Sequence, residues 1–268
     1  MNFHKLVSLK LAQIPQHELL AGALQIDGAT QKVIDSNRDL IPAVFQIETR
    51  LKTEALEKEG RVLNIPLKHQ SSALAAINQD ILSHFAPFPE LLTDPDFNGL
   101  HITMGDIRRP VHVSEKDLQI DLKHIPLDAI VTDLIQLAGK IPAQTVLMDK
   151  ITLTSTGIVL LCRGNGWIHY FRAQFNSILE ANLGFGPSDA KWPKKTPDII
   201  HCTLVRFKRR PTTLELDQLK AKLTQITRSL QIDPIEIPLS GIDLVAETHH
   251  LGGPSGTGFH PIQFLAFR

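Results

Sequence analysis

The chain has 268 residues, 43% hydrophobic and 21% charged, which suits one large domain or two small ones and argues against wholesale disorder. Lysine plus arginine (28) equals aspartate plus glutamate (28), so the basic excess of a protein that coats long nucleic acid is absent. Two cysteines exclude a disulfide scaffold or multi-cysteine metal site, and no apolar run approaches the roughly 20 residues that span a bilayer.

Residues 1–60 read as a helical N-terminal extension. Ile41, Val44, Phe45, Ile47, Leu51, Ala55 and Leu56 recur at helical spacing, Glu54 sits four residues before Lys58, and Gly60 is placed to stop the helix. Lys10 interrupts the one apolar stretch near the start, so no secretory signal is expected and the chain reads as cytoplasmic.

From residue 61 onward the pattern alternates. Arg61–Leu67 predicts a strand, and SSALAAINQDILSHF a helix opened by a serine cap. A strand over Leu100–Ile107 precedes a helix over 126–138 that Gly139 ends. Lys150–Arg163 predicts a hairpin turning at Thr156-Gly157. Ile168, Phe171, Phe175, Ile178 and Leu179 mark a helix ended by Gly184. Strands follow over Ile200–Phe207 and 235–248, with a helix over 214–230 between them, and the last strand, Phe259–Phe267, is reached through the glycine-rich loop 251–258. The fold class is α+β.

Within this domain a motif recurs. HITMGDIRRP begins at His101 and HCTLVRFKRRP at His201, each leading to a helix and then a hairpin. With 12 histidines and 18 threonines, roughly 0.8 His-x-Thr triplets arise by chance, so the shared sequel carries more weight than the triplets. On a strand, His101 faces the same side as Thr103, and His201 the same side as Thr203, while Ile102, Met104, Cys202 and Leu204 point into apolar packing. Two imidazoles can divide acid–base work, and two hydroxyls can donate to the non-bridging oxygens of a phosphate. That set suits metal-independent cleavage of a cyclic or strained phosphodiester.

These motifs resemble the two-histidine (2H) phosphoesterase superfamily, which includes the LigT-like RNA 2′,3′-cyclic phosphodiesterases. RVLNIPL with its helix and GLHITM looks like the usual start of such a domain, and IIHCTLVRF, including Arg206, like its second motif. The resemblance covers residues 61–268 and leaves out the extension. It implies a bilobal fold, with two pseudo-symmetric sheet-and-helix lobes around a central cleft. It also implies His101 and His201 as acid and base, Thr103 and Thr203 as phosphate ligands, and neither metal nor cofactor. The expected substrate is a cyclic phosphate, a small nucleotide or an RNA 3′-end, with no long duplex and no membrane. The alternative is a non-catalytic nucleotide- or phosphate-binding module of the same fold.

Other residues are candidate substrate contacts, the alternative for 191–195 being an exposed loop with a partly buried tryptophan. Trp192 sits among Lys191, Lys194 and Lys195 just before the second motif, a stacking aromatic with cations. Arg206 stands three residues after Thr203, so it shares the threonine's face only if the strand bulges. Arg108, Arg109, Arg209 and Arg210 read as solvated charge at strand ends. His249 and His250 are adjacent and so poor co-ligands for one metal.

Overall fold

Residues 55–108, 125–163, 167–184 and 200–268 are described by the computed structural model. In chain order they form β1 (Ala55–Pro66), α1 (Ser71–Ala76), β2 (His101–Arg108), α2 (Leu127–Ala138), β3 (Gln144–Leu153), β4 (Gly157–Arg163), α3 (Trp167–Leu183), β5 (His201–Arg206), α4 (Thr213–Ile232), β6 (Ile235–Leu239), β7 (Gly241–His249) and β8 (Phe259–Ala266). No helix among the described residues is long and apolar enough to cross a membrane.

Three expectations need correction. Ala55, Leu56 and Gly60 do not end a helix but open β1, because Gly60 and Arg61 pair with Glu247 and Ala246 of β7. A sheet ladder here outweighs local helical spacing; residues 1–54 lie outside the described residues. Ser71 is the first residue of α1 rather than its cap, and Gln70 at the cap position makes no side-chain capping bond, its Nε2 donating instead to Pro238 O (3.3 Å). Beyond Ala76 this helix continues as a π turn over Ile77–Ile81 and a 3-10 turn over Leu82–Phe85, burying Ile77, Ile81 and Phe85. Finally, the strand expected over 235–248 is two strands, β6 and β7, divided at Ser240.

The remaining elements form where patterning placed them. In α3 Ile168, Phe171, Phe175 and Leu179 are buried, and Gly184 leaves the helix at φ +70°, a conformation that glycine adopts without strain. Thr212 and Glu215 form a reciprocal capping box at the start of α4, whose Leu219, Leu223, Ile226 and Leu230 are buried.

The eight strands make one antiparallel sheet in the order β6-β3-β4-β5-β2-β1-β7-β8. The motif strands β5 and β2 lie at its centre. Each is flanked by the strand that precedes it in the chain, β4 beside β5 and β1 beside β2.

In this order β6 and β7 are six strand spacings apart, about 29 Å if the sheet were flat. Yet Ser240 alone joins them, and one residue spans at most about 8 Å. The sheet therefore curls until its two ends meet. Hydrogen bonds fasten the meeting point: Phe267 N–H donates to Ser240 O (2.7 Å), Arg268 N–H to Ile141 O (2.7 Å), and Ala143 N–H to Arg268 O (3.2 Å).

One face of the curl carries the row Ile151, Leu160, Cys202, Ile102 and Ile65, all buried and packed in the core with the helices. Phe175 of α3 lies on this face, against the space a Cβ on Gly105 would fill. Eight curled strands enclose room for side chains or one small ligand, whereas a single helix with its side chains is about 10–12 Å across. The helices consequently lie outside, and the opposite face of the sheet turns inward.

Gly157 at the start of β4 lies opposite Arg206, where a Cβ would press on the Val205 carbonyl oxygen and sit 2.8 Å from Arg206 Cα. Gly157→Ala is expected to cost about 1–3 kcal/mol, read as a lower urea midpoint.

Candidate active site

The inner face is built around the β2–β5 pair. Ile102 is the register partner of Cys202, and the strands are antiparallel. One residue to either side, His101 stands opposite Thr203 and Thr103 opposite His201. Because Ile102 and Cys202 take the core face, the two histidines and two threonines share the inner one. All four are half-buried. Directly opposed side chains on one face have Cβ atoms about 4.5–5.5 Å apart, so each imidazole has the other motif's hydroxyl as a cross-strand neighbour on one side, with Pro66 beside His101 and Leu161 beside His201 on the other.

Both motif strands then bulge at the same place. Along β2, Thr103 pairs with Asn64 but Gly105 with Leu63, so Met104 is an extra residue. Along β5, Thr203 pairs with Val159 but Val205 with Ile158, so Leu204 is extra. Each bulge shifts the alternation by one and returns the third residue after the threonine to the inner face. Arg206 thus shares a face with Thr203, and Asp106 takes the matching place beside Thr103. Buried Arg172 of α3 secures the first bulge, donating to Thr103 O (2.9 Å) and Met104 O (3.1 Å). Beside the second, Thr93 Oγ1 accepts from Arg206 N–H (2.9 Å) and Thr93 N–H donates to Arg206 O (2.9 Å).

His101 is held on two sides. Its Nδ1 lies 2.8 Å from the Gly99 carbonyl oxygen, which can only accept, so Nδ1 carries a proton and Nε2 is the nitrogen left for chemistry. Gly99 closes a 3-10 turn whose Asp96 cap accepts from Gly99 N–H at 3.2 Å. The Phe259 ring meets the imidazole edge-on, with centroids 4.8 Å apart. Phe259 begins β8 after the glycine-rich loop, where Leu251 and Ser255 have positive φ and Ser255 N–H donates to Asp96 Oδ2 (2.8 Å). The loop is the β7–β8 connection, fastened to the turn that carries His101.

The two halves match in register but not in chemistry. Where β1 places Asn64 beside Thr103, β4 places Val159 beside Thr203, and where β2 has Asp106, β5 has Arg206. Register with β7 puts Asp243 and Glu247 on the inner face as well. Burial, with the Asp106 carboxylate nearby, pushes the Glu247 carboxyl up to about 8, although Gly252 N–H donates to it at 3.0 Å. Burial also raises the Asp243 carboxyl, against the opposing pull of His69 and Lys68. The β1–β7 half is thus acidic and amide-bearing. On the other half Val159 and Leu161 form an apolar floor that ends in Arg206.

Asn64 is 2% exposed, and neither its Oδ1 nor its Nδ2 has a hydrogen-bond partner among the described residues. A buried amide left in that state costs about 1–3 kcal/mol. Asn64, Asp106 and Glu247 were not singled out in the sequence. Superposing the two motif copies pairs Asp106 with Arg206, which is the signal for Asp106, and the one signal for Asn64 is that it interrupts the apolar run Val62–Leu67.

Trp192, Lys191 and Lys194 lie outside the described residues. Arg209 is a surface residue bonded to Glu215 through two contacts of 2.6 and 2.9 Å, which hold the Glu215 carboxyl at about 2. Cys202 is fully buried on the core face, and that burial pushes its thiol up to about 12, leaving no thiolate for nucleophilic work. Among the described residues no group of three or more His, Cys, Asp or Glu side chains is placed to hold a metal ion.

No family model matches the chain, and no curated protein matches it. Among the solved structures that match it are two that share its fold. TT0787 of Thermus thermophilus is 14% identical with a TM-score of 0.51, the match covering 78% of this chain and 98% of that one. ATU0111, a conserved protein of unknown function from Agrobacterium tumefaciens, is 18% identical with a TM-score of 0.53, covering 90% and 100%. At these identities the likeness speaks for the fold alone.

The raised Glu247 carboxyl has a consequence for stability. As pH rises from the ordinary 4.5 toward 8, the unfolded chain releases this proton while the folded protein keeps it. This group's contribution is therefore most favourable below about pH 4.5 and is lost progressively up to about 8. Glu247→Gln is expected to raise the urea midpoint at pH 8 and to flatten the decline between pH 5 and 8.

Proposed function

We propose that this chain is a phosphodiesterase of the two-histidine type, with the bilobal fold of that superfamily. Its substrate is a cyclic phosphate or a small nucleotide or RNA-end phosphodiester, hydrolysed by paired imidazoles without a metal. The observation that carries the reading is the register of Ile102 with Cys202, which sets His101 against Thr203 and Thr103 against His201 on one inner face.

On this reading one imidazole takes the proton of the attacking water, or of a ribose hydroxyl in a transfer reaction. The other gives a proton to the departing oxygen. His101, with Nδ1–H committed to the Gly99 carbonyl, works through Nε2 in either role. The Thr103 and Thr203 hydroxyls donate to the non-bridging oxygens as charge builds on them, and Arg206 adds a fixed cation on the same face. The balanced net charge fits a ligand with few phosphates rather than a long nucleic acid.

The test is turnover of a panel of 2′,3′-cyclic mononucleotides, cyclic dinucleotides, cyclic ADP-ribose phosphate and RNA with cyclic ends. His101→Ala and His201→Ala are each expected to lower kcat by about 10²–10⁴-fold with the urea midpoint unchanged. Near-normal hydrolysis by both variants would sink the mechanism. Tight binding across the panel with no turnover would make the chain a binding module instead.

Two further outcomes belong to the same chemistry. Activity is expected to survive thorough chelation with EDTA, and restoration by one specific divalent ion after a loss would overturn the reading. The rate is expected to fall on both sides of a pH optimum, since one imidazole acts neutral and the other protonated. Those limbs belong to the coupled pair rather than to either histidine.

A further inference from the structure

Asn64 is a buried polar group that the mechanism leaves unused. The inner face carries one continuous transverse row, Lys150, Leu161, His201, Thr103, Asn64 and Asp243, each the register neighbour of the next. Asn64 stands directly beside a threonine of the proposed phosphate cradle. It is 2% exposed, and both polar atoms of its carboxamide lack a partner among the described residues. Its counterpart in the second half, Val159 beside Thr203, has no polar atom in its side chain, so neither the repeat nor strand pairing requires an amide there.

We propose that Asn64 is a substrate-recognition residue. Its carboxamide meets a group beside the phosphate that both donates and accepts hydrogen bonds: a sugar hydroxyl or the amide-like edge of a nucleobase. This rests on the phosphodiesterase reading for the position of the phosphate.

The chemistry follows from what an amide offers. Its oxygen accepts and its NH₂ donates, whereas a phosphate oxygen can only accept, so the phosphate itself satisfies half of Asn64 at most. The surrounding charge points the same way. Asp106 and Asp243 share this half of the face and disfavour an anion, whereas Arg206 lies on the other half. The phosphate, held between Thr103 and Thr203, is drawn toward Arg206, and the uncharged hydroxyl-bearing part of the ester falls beside Asn64.

The experiment compares binding of inorganic phosphate and adenosine 3′-phosphate to the full chain and to Asn64→Leu, by calorimetry. Wild type is expected to hold the nucleotide about 10- to 100-fold more tightly than phosphate. The variant is expected to lose most of that advantage with its phosphate affinity unchanged. An amide with no partner among the described residues gives up no hydrogen bond to them when replaced by leucine, so the thermal midpoint is expected to hold or rise. Should leucine not fit, Asn64→Ser gives the same readout in a smaller volume.

Two probes distinguish the sources of the contact. Loss of the wild-type advantage with the 2′-deoxy nucleotide identifies the hydroxyl. Loss with purine riboside 3′-phosphate, which lacks the exocyclic amine, identifies the base edge. If neither change matters, or if Asn64→Leu weakens phosphate and nucleotide equally, Asn64 is not a recognition residue. A protein that binds in the expected pattern but hydrolyses nothing keeps this proposal and loses the reaction. One that hydrolyses the panel while Asn64→Leu discriminates normally keeps the reaction and loses the proposal.

Discussion

A single residue between two strands dictates the shape of this molecule. Ser240 joins β6 to β7, and the sheet order sets those strands six spacings apart. Peptide geometry leaves no way to satisfy both facts with a flat sheet. The curl that results decides which side of every strand faces inward, and it forces the helices to the outside because the bore is too narrow for them. The bonds from Phe267 and Arg268 to Ser240 and Ile141 hold the chain's last residues across that junction.

Within this frame the chemistry is arranged by two bulges. Without the extra residues Met104 and Leu204, alternation would send Asp106 and Arg206 outward, to the side where the helices pack. The bulges keep the inner face polar for one more position along each motif strand, and buried Arg172 caps the carbonyls that the first one releases. The two halves share this backbone device and differ in the side chains placed on it, so a nearly symmetric framework presents an acidic half and a cationic, apolar-floored half.

Much of this was legible in the sequence. The spacing from His to Thr fixes a common face for any strand, and the repeated Arg-Arg-Pro sequel announced two equivalent strands. Periodicity also placed α3, α4 and the β3–β4 hairpin. What was not legible depends on partners remote in the chain. Ala55–Gly60 keeps helical spacing yet becomes strand because β7 waits to pair with it, and nothing local marks Ser240 as the point where one apolar run divides between two ends of a sheet. The bulges appear only when two registers are compared. The Arg206 question was thus posed correctly by sequence spacing and decided by the ladder with β4. Asn64 stayed hidden because one polar residue in a strand reads as an exposed position until its burial is known.

The place of β1 bears on how the chain is made. It is an interior strand, hydrogen-bonded to β2 on one side and to β7 on the other, so Gly60 waits for Glu247 near the opposite end of the sequence. At ribosomal rates of about 5–20 residues per second, that interval lasts on the order of 10–40 s. Throughout it, the edge of β1 that β7 will cover exposes unpaired backbone, a template for strands of other nascent chains. The fold is therefore one of high contact order, which commits itself only as its C-terminal strands emerge. The half built from β2, β1, β7 and β8 cannot close early, since it draws its strands from both ends of the described chain, whereas β3 to β6 emerge in succession. Yield in a host cell is governed by how well the nascent chain is shielded over those seconds as much as by the stability of the finished protein.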